Sequence, residues 1–323
     1  MSTRKSSAAP SRRPRRPDGA SPASSSVRSL DRYREIVPDW PLFLAAADRP
    51  LPYDGHVNSL RAEPTEVLRR LAGRGIRAVA MEWDPCAFRA DRPLGTTLEH
   101  WLGLYYVQEA VQAVPVLALD PQPGERVLDL CAAPGGKTVH IAGRMANSGV
   151  LVANEPNGRR QQALLANLNR AGAWNAVVTE YRGQDLPLGD SFDRVLIDAP
   201  CSGEGTLRKE PTLRDGASPF TIERLARLQV RLILRGFDLL RTGGTLVYST
   251  CTLAPEENEA VVASLLAARD ARVIPVELPF PHAPGLAGWR DACFPDAVQG
   301  CTRIYPQHLD SGGGFVARVQ RVA

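Results

Sequence analysis

The chain has 323 residues, of which 44% are apolar, 23% charged and 6% aromatic; that is enough for one large core or two modest ones and excludes a disordered polyelectrolyte. Its apolar runs, such as AVVASLLAA from Ala260, fall far short of the roughly 18–20 residues that span a bilayer, and the N-terminus lacks the apolar stretch of a secretory signal. The net charge of +4 belongs to the tail: residues 1–30 carry seven Lys/Arg against Asp18, while the other 293 carry 32 basic and 34 acidic groups. Binding to nucleic acid therefore has to be argued from local patches.

Residues 1–30, rich in Ser, Pro, Arg and Ala, are expected to form a disordered basic tail. Residues 31–120 predict a small α+β segment. TEVLRRLAGRG gives a helix stopped by glycine, with Glu66, Arg69, Arg70 and Arg74 on its polar side, GIRAVAMEW gives a strand, and GLYYVQEAVQAVPVLAL gives a helix with a proline inside. From residue 121 onward, RVLDLC, VLVANE, NAVVTEY, FDRVLIDAP and GGTLVYSTC read as strands separated by helices. Pro255 is placed to open a further helix with Glu256 and Glu257 in its first turn, and RVIPVEL and GGFVARVQRV supply two last strands. Apolar strands alternating with helices predict an α/β fold, a doubly wound parallel sheet with its chemistry just beyond the carboxyl ends of the strands.

The six cysteines, at 86, 131, 201, 251, 293 and 301, form no C-x-x-C pair and have no histidine cluster near them in sequence, so no metal site is expected and free thiols in a reducing cytoplasm are. The loop DLCAAPGGKT after the first strand has three readings. It fits a P-loop except that Cys131 stands at the first glycine, it has too few glycines for a dinucleotide fingerprint, and it suits the S-adenosylmethionine loop of a class I methyltransferase. Glu155 ends the second strand, 19 residues after Gly136, where an acid accepts from ribose hydroxyls. DAPCSGEG and STCT end the fourth and fifth strands, which are neighbours in an open parallel sheet, so Cys201 and Cys251 should face one pocket. A thiolate adds to the electron-poor C6 of a pyrimidine and makes C5 nucleophilic toward a sulfonium methyl group. One cysteine then attacks and the other assists release, with Asp198 placed to hold the N3/N4 edge of cytosine; spacing alone does not say which cysteine attacks.

DLCAAPGGKT, VANE, DAPCSGEGTLRKEP, YSTCTLAPEENE and GGFVARV together resemble the RsmB/Nop/Sun-type RNA cytosine-5 methyltransferases, from about Leu30 to the C-terminus, and most of all the bacterial members that modify small-subunit ribosomal RNA. The resemblance implies a class I (Rossmann-like) methyltransferase domain over residues 121–323, an RNA-recognition segment over 31–120, and S-adenosylmethionine as cofactor. It makes Cys251 the nucleophile and Cys201 the residue that aids release. The fourth-strand Asp198 counts both as catalytic and as part of the cofactor site. The cofactor loop maps onto Cys131, Ala132, Ala133, Pro134, Gly135, Gly136 and Lys137, with Lys137 also toward the substrate, and the ribose acid onto Glu155. Where the family has an adenine-contacting aspartate this chain has Arg182, with Gln184, Asp185 or a carbonyl as substitutes. The family's R-x-N-x-L segment reads His56-Val-Asn58-Ser-Leu60.

The expected partner is RNA, ribosomal before transfer RNA, with no membrane, no obligatory protein partner and no appended PUA-type module. A non-catalytic ribosomal-RNA-binding assembly protein and a P-loop NTPase are the rival classes. For RNA contacts, Arg208 and Lys209 are expected at the pocket mouth. Arg69, Arg70, Arg74 and Arg77 form a possible track, whereas Arg224, Arg227, Arg231 and Arg235 are expected as an ordinary solvated helix face.

Overall fold

The computed structural model describes residues 30–189 and 191–322; the expected basic tail lies outside the described residues except for Leu30, which opens a 3-10 helix over Leu30–Tyr33. Next come α1 (Trp40–Asp48), β1 (Tyr53–Val57), α2 (Pro64–Gly73), β2 (Ala78–Met81), β3 (Asp84–Ala90), α3 (Leu98–Trp101), β4 (Tyr105–Val107) and α4 (Val114–Leu119). The four strands make an antiparallel sheet in the order β2-β3-β1-β4.

The segment GLYYVQEAVQAVPVLAL is not one helix. Tyr105–Val107 pairs with β1, Gly55 opposite Val107, because an aromatic, β-prone triplet beside an open sheet edge gains a ladder. Pro115 lies in the first turn of α4 rather than in a helix interior, where its missing N–H costs nothing.

The second sheet is built from β5 (Arg126–Asp129), α5 (Gly136–Arg144), β6 (Val150–Asn154), α6 (Gly158–Ala171), β7 (Ala176–Thr179), β8 (Phe192–Asp198), α7 (Pro219–Asp238), β9 (Leu240–Thr250), α8 (Glu259–Ala268), β10 (Ala271–Val273) and β11 (Ala283–Pro284). The small hairpin of β12 (Gly288–Trp289) and β13 (Ala292–Cys293) is followed by β14 (Thr302–Ile304), α9 (Pro306–Leu309) and β15 (Gly314–Arg321). The order is β11-β14-β15-β9-β8-β5-β6-β7. β7, β6, β5, β8 and β9 run parallel, as expected. The last strands depart from the parallel reading: β15 lies antiparallel against β9, β10 and β14 pair antiparallel with β15, and RVIPVEL contributes only Arg272 and Val273, which with Ala271 make up β10.

Both faces of the sheet are covered. Val195, Ile197, Leu246 and Tyr248 pack under Ile233 and Phe237 of α7 and Val262 and Leu265 of α8. The alternate residues Val127, Leu151, Leu196 and Val247 pack under Val116 and Leu119 of α4, Ile141 of α5 and Met145 just after it. This two-sided burial explains the unbroken apolar strands. The strand order turns back at β5, between β6 and β8, which opens a crevice above the carboxyl ends of β5 and β8.

Pro255 does not start α8, which begins at Glu259. Asn258 instead ties the preceding turn to the end of β9, accepting from Thr250 Oγ1 at 2.6 Å and donating to Thr252 O at 3.1 Å. Glu257 is thereby turned inward rather than toward solvent in a helical first turn.

Candidate active site

The loop leaving β5 is held tight by its own backbone and by α6. Gly135 has φ +112°, and a Cβ there would stand 3.0 Å from Leu164 Cδ1; one on Gly136 would stand 3.0 Å from a Tyr106 ring carbon. Ala132 N–H donates to Asn154 O at 2.9 Å, and Arg160 donates to Ala133 O at 2.7 Å. Beneath the loop Asp129 is buried, one oxygen accepting from Thr138 Oγ1 at 2.7 Å and the other, Oδ1, without a protein partner. Burial pushes its carboxyl up to about 7, so it holds a proton or a donor at neutral pH.

Glu155, 2% exposed, accepts from Asn157 N–H at 2.8 Å and pairs with Arg160 at 3.1 Å. Each oxygen has one such partner, which leaves lone pairs for a diol. A cleft of about 420 Å³ above Asp129 is lined by Cys131, Ala132, Ala133, Pro134, Gly136, Lys137, Asp129 and Asp198 on the sheet side, with Asp54, Tyr106, Gln108 and Gln112 opposite. Its size and its orphaned carboxylate oxygen fit a small ligand that carries a cationic donor.

Across the crevice, β8 and β9 end side by side, with Asp198 opposite Ser249. That register puts Cys201 Sγ 3.3 Å from Cys251 Sγ. Gly205 N–H donates to Cys251 O at 2.8 Å, and Gly205 is packed so closely that a Cβ would lie 2.6 Å from Gly313 O. The turn after Cys201 is anchored by Glu257, which accepts from Ser202 N–H at 3.0 Å and Gln229 Nε2 at 2.8 Å. The Cys251 thiol beside it, together with burial, holds the Cys201 thiol protonated, well above its ordinary pKa. Asp198 accepts from Lys137 Nζ at 2.8 Å and Ser249 Oγ at 2.9 Å, and Lys137 also donates to Gln112. A paired thiol past two adjacent strand ends, one of which carries a carboxylate bound to an ammonium, suits nucleophilic addition to an electron-poor ring.

The sequence profile of the family described as "16S rRNA methyltransferase RsmB/F" matches residues 116–320. The chain belongs to the RsmB/F family. Among its relatives, the "Ribosomal RNA small subunit methyltransferase F" of Klebsiella pneumoniae (strain 342) is 40% identical over 292 residues, covering 87% of this chain and 60% of that protein. The "26S rRNA (cytosine-C(5))-methyltransferase nsun-1" of Caenorhabditis elegans is 38% identical over 291 residues, covering 87% of this chain and 44% of that protein. The chain thus spans less than two thirds of the length of these relatives. A crystallised methyltransferase homologue from Pyrococcus horikoshii is 31% identical with a TM-score of 0.77, covering 90% of this chain and 98% of that one.

For this RsmB/F member the structure sorts the expected residues into groups. Cys131 to Pro134, Gly136, Lys137 and Asp198 meet at the cleft; Gly135 supplies the turn; Cys201 and Cys251 meet each other past the ends of β8 and β9, and Glu155 follows β6, these three not being among the residues that line the cleft. Arg182 is exposed beyond β7 and is not among the residues lining the cleft. Of its neighbours, Gln184 gives its carbonyl to Arg235 at 2.9 Å, and Asp185 is exposed.

Several expected RNA contacts have other employment. Arg208 is buried and clips three carbonyls, Arg49 O, Pro50 O and Ser311 O, besides pairing with Asp310 at 3.0 Å; only Lys209 of that pair lines the cleft. Asn58 is buried and donates to Gly103 O and Ala171 O, and His56 is buried against Asp84. Glu66 binds both Arg69 and Arg70, and Glu99 binds Arg74. Arg224, Arg227 and Arg231 form the exposed face expected of a sheet-covering helix, Arg227 pairing with Glu223.

Two residues inside the quoted motifs matter although the sequence reading gives them no role. Asn154, of VANE, joins three strand ends, donating to Leu130 O and Tyr181 O and accepting from Thr179 Oγ1 and Tyr181 N–H. Asp129, the first residue of DLCAAPGGKT, puts its orphaned oxygen under the cleft; its signal in sequence is an acid ending an otherwise apolar strand.

Proposed function

We propose that this chain methylates C5 of cytosine in RNA, with small-subunit ribosomal RNA as substrate, in the cytoplasm. The observation that carries the reading is the 3.3 Å approach of Cys201 and Cys251, which follow the adjacent ends of β8 and β9, the β8 end being Asp198 paired with Lys137. The names of the relatives support the reaction and the class of RNA. S-adenosylmethionine, when bound, supplies an electrophilic methyl group. Asp129 and Glu155 are the residues that would hold its ammonium and ribose hydroxyls, within the loop from Cys131 to Lys137.

The base has to leave its stack to reach the cysteines. Cys251, as thiolate, forms a bond to C6, and the charge that develops at N3 is taken up by a proton that leaves the Lys137 ammonium and reaches N3 through the Asp198 carboxylate. C5 thereby becomes nucleophilic and takes the methyl group. A base then removes the C5 proton, the C5–C6 double bond reforms, and the Cys251 sulfur departs. Cys201, held protonated against it, supplies a proton to the departing thiolate. Lys137 orients Asp198 and keeps charge balanced as the proton moves.

The test is transfer of labelled methyl from S-adenosylmethionine to small-subunit ribosomal RNA, free and in particles, beside total transfer RNA, with nucleoside analysis. The expected product is 5-methylcytidine in ribosomal RNA. Label in transfer RNA alone would reassign the substrate, and no label despite cofactor binding would leave a non-catalytic RNA-binding protein.

A further inference from the structure

His56, Asp84 and His140 are far apart in sequence and meet in the interior. His56 lies in β1, Asp84 opens β3, and His140 is on α5, one turn past Lys137. They are 7%, 5% and 6% exposed. One ligand-capable atom from each lies within 4.8 Å of the others. His56 Nε2 stands 3.1 Å from Asp84 Oδ2. The other carboxylate oxygen accepts from Cys86 N–H at 2.9 Å, which fixes the carboxylate with Oδ2 toward the rings. The two imidazoles have centroids 3.9 Å apart.

Hydrogen bonds within the protein leave this cluster incomplete. His140 Nδ1 is buried with no partner among the described residues, and an imidazole nitrogen with a free lone pair is a metal ligand. A cavity of about 10 Å³ is lined by both histidines, Gly136 and Gly143, room for about one water.

We propose that His56, Asp84 and His140 bind a structural divalent transition metal, zinc before others, with a water in the small cavity as fourth ligand. Two imidazoles and a carboxylate suit zinc, whereas magnesium and calcium call for oxygen ligands. Bonds of about 2.0–2.1 Å put tetrahedral ligand atoms about 3.3–3.5 Å apart. The His56–Asp84 contact is already near that edge; binding draws the other ligand atoms in from within 4.8 Å and parts the two rings, whose centroids are 3.9 Å apart, to the roughly 5 Å of two imidazoles on one tetrahedral ion. The metal fastens β1 and β3 to α5, the helix whose first turn carries Lys137. It uses none of the cysteines whose spacing argued against zinc, and it stands whether or not the chain transfers methyl groups.

The test uses the untagged full chain purified without chelator. Elemental analysis should find about one zinc per chain. After stripping with dipicolinate, added Zn²⁺ should restore that stoichiometry and raise the thermal midpoint as mass action requires, with Mg²⁺ giving no rise. Co²⁺ in the stripped chain should give the visible absorption of a tetrahedral ion. His140→Gln and Asp84→Asn should each lose stoichiometric retention, the thermal rise and the cobalt band, while Cys293→Ser keeps all three. Should the two ligand variants not fold, the wild-type zinc content and cobalt spectrum decide. A stripped wild-type chain that takes up neither ion, or variants that retain zinc as well as wild type, would overturn the site.

Discussion

The charges on α2 and those at the cleft are both acid–base pairs, set in different surroundings. On α2, Glu66 lies 2.8 Å from Arg69 and 2.7 Å from Arg70, with the arginine side chains 72% and 43% exposed. In the cleft, Lys137 is 2.8 Å from Asp198, and the lysine side chain is 10% exposed. At 4 Å a pair of unit charges is worth about 1 kcal/mol in water and about 4 kcal/mol at the effective dielectric of a protein site. Charge matters where water is thin, so a run of arginines in sequence says little about binding until its neighbours are known. The two cleft charges meet only because β5 and β8 are adjacent in the sheet.

The largest effects should come from the cleft. Cys251→Ala is expected to lower methyl transfer by at least ~10⁴-fold, the scale seen when a covalent nucleophile is removed. Cys201→Ala is expected to trap a covalent protein–RNA adduct that runs slowly on a denaturing gel. Turnover by Cys251→Ala, with Cys201→Ala inactive and free of adduct, would exchange the two roles. Next in size, Asp198→Asn should reduce kcat/KM by about 10²–10⁴-fold, because an amide cannot pass a proton to the ring. Equal rates for Asp198→Asn and wild type would place Asp198 outside the chemistry.

The strand ends were legible in the sequence because helix–strand alternation fixes which strands are neighbours, and neighbouring strand ends carry Cys201 and Cys251. The family motifs then marked the loop from Cys131 to Lys137. What the sequence hid depends on packing between distant segments. β15 lies antiparallel against β9, an apolar run whose direction no local signal encodes. Arg208 follows a cysteine motif like an RNA contact yet is consumed by three carbonyls. Tyr105–Val107 looks helical beside its neighbours and becomes a strand only because the edge of β1 is open to it.

A smaller effect separates the buried carboxyls from the exposed ones by pH. Burial pushes Glu257 up from 4.5 to about 7, so the folded chain holds that proton over an interval in which the unfolded chain has released it. A raised carboxyl pKa contributes stability that is complete below pH about 4.5 and is lost as pH rises through about 7. Glu257→Gln cannot ionise, so its thermal midpoint should fall less than that of wild type between pH 5 and 8, by the equivalent of up to about 3 kcal/mol. Asp129, also near 7, keeps part of the slope in the variant. Identical pH profiles for the two chains would show that Glu257 stays ionised against Ser202 and Gln229.

The smallest effect belongs to α2. Replacing Arg69 and Arg70 together with alanine removes two exposed partners of one carboxylate, and exposed pairs are worth about 0–1 kcal/mol. Stability should change within that range, and kcat/KM for RNA should change less than about twofold, since Glu66 already takes up much of the field of these arginines. Lys209→Ala is the counterpart at the cleft, where the side chain lines the cavity and Arg208 is committed to carbonyls. It should raise KM for RNA several-fold and flatten its salt dependence, as loss of one phosphate contact does. If the α2 double variant weakens RNA binding more than Lys209→Ala does, the RNA path runs over α2 after all, and the ion pairs seen there open when RNA arrives.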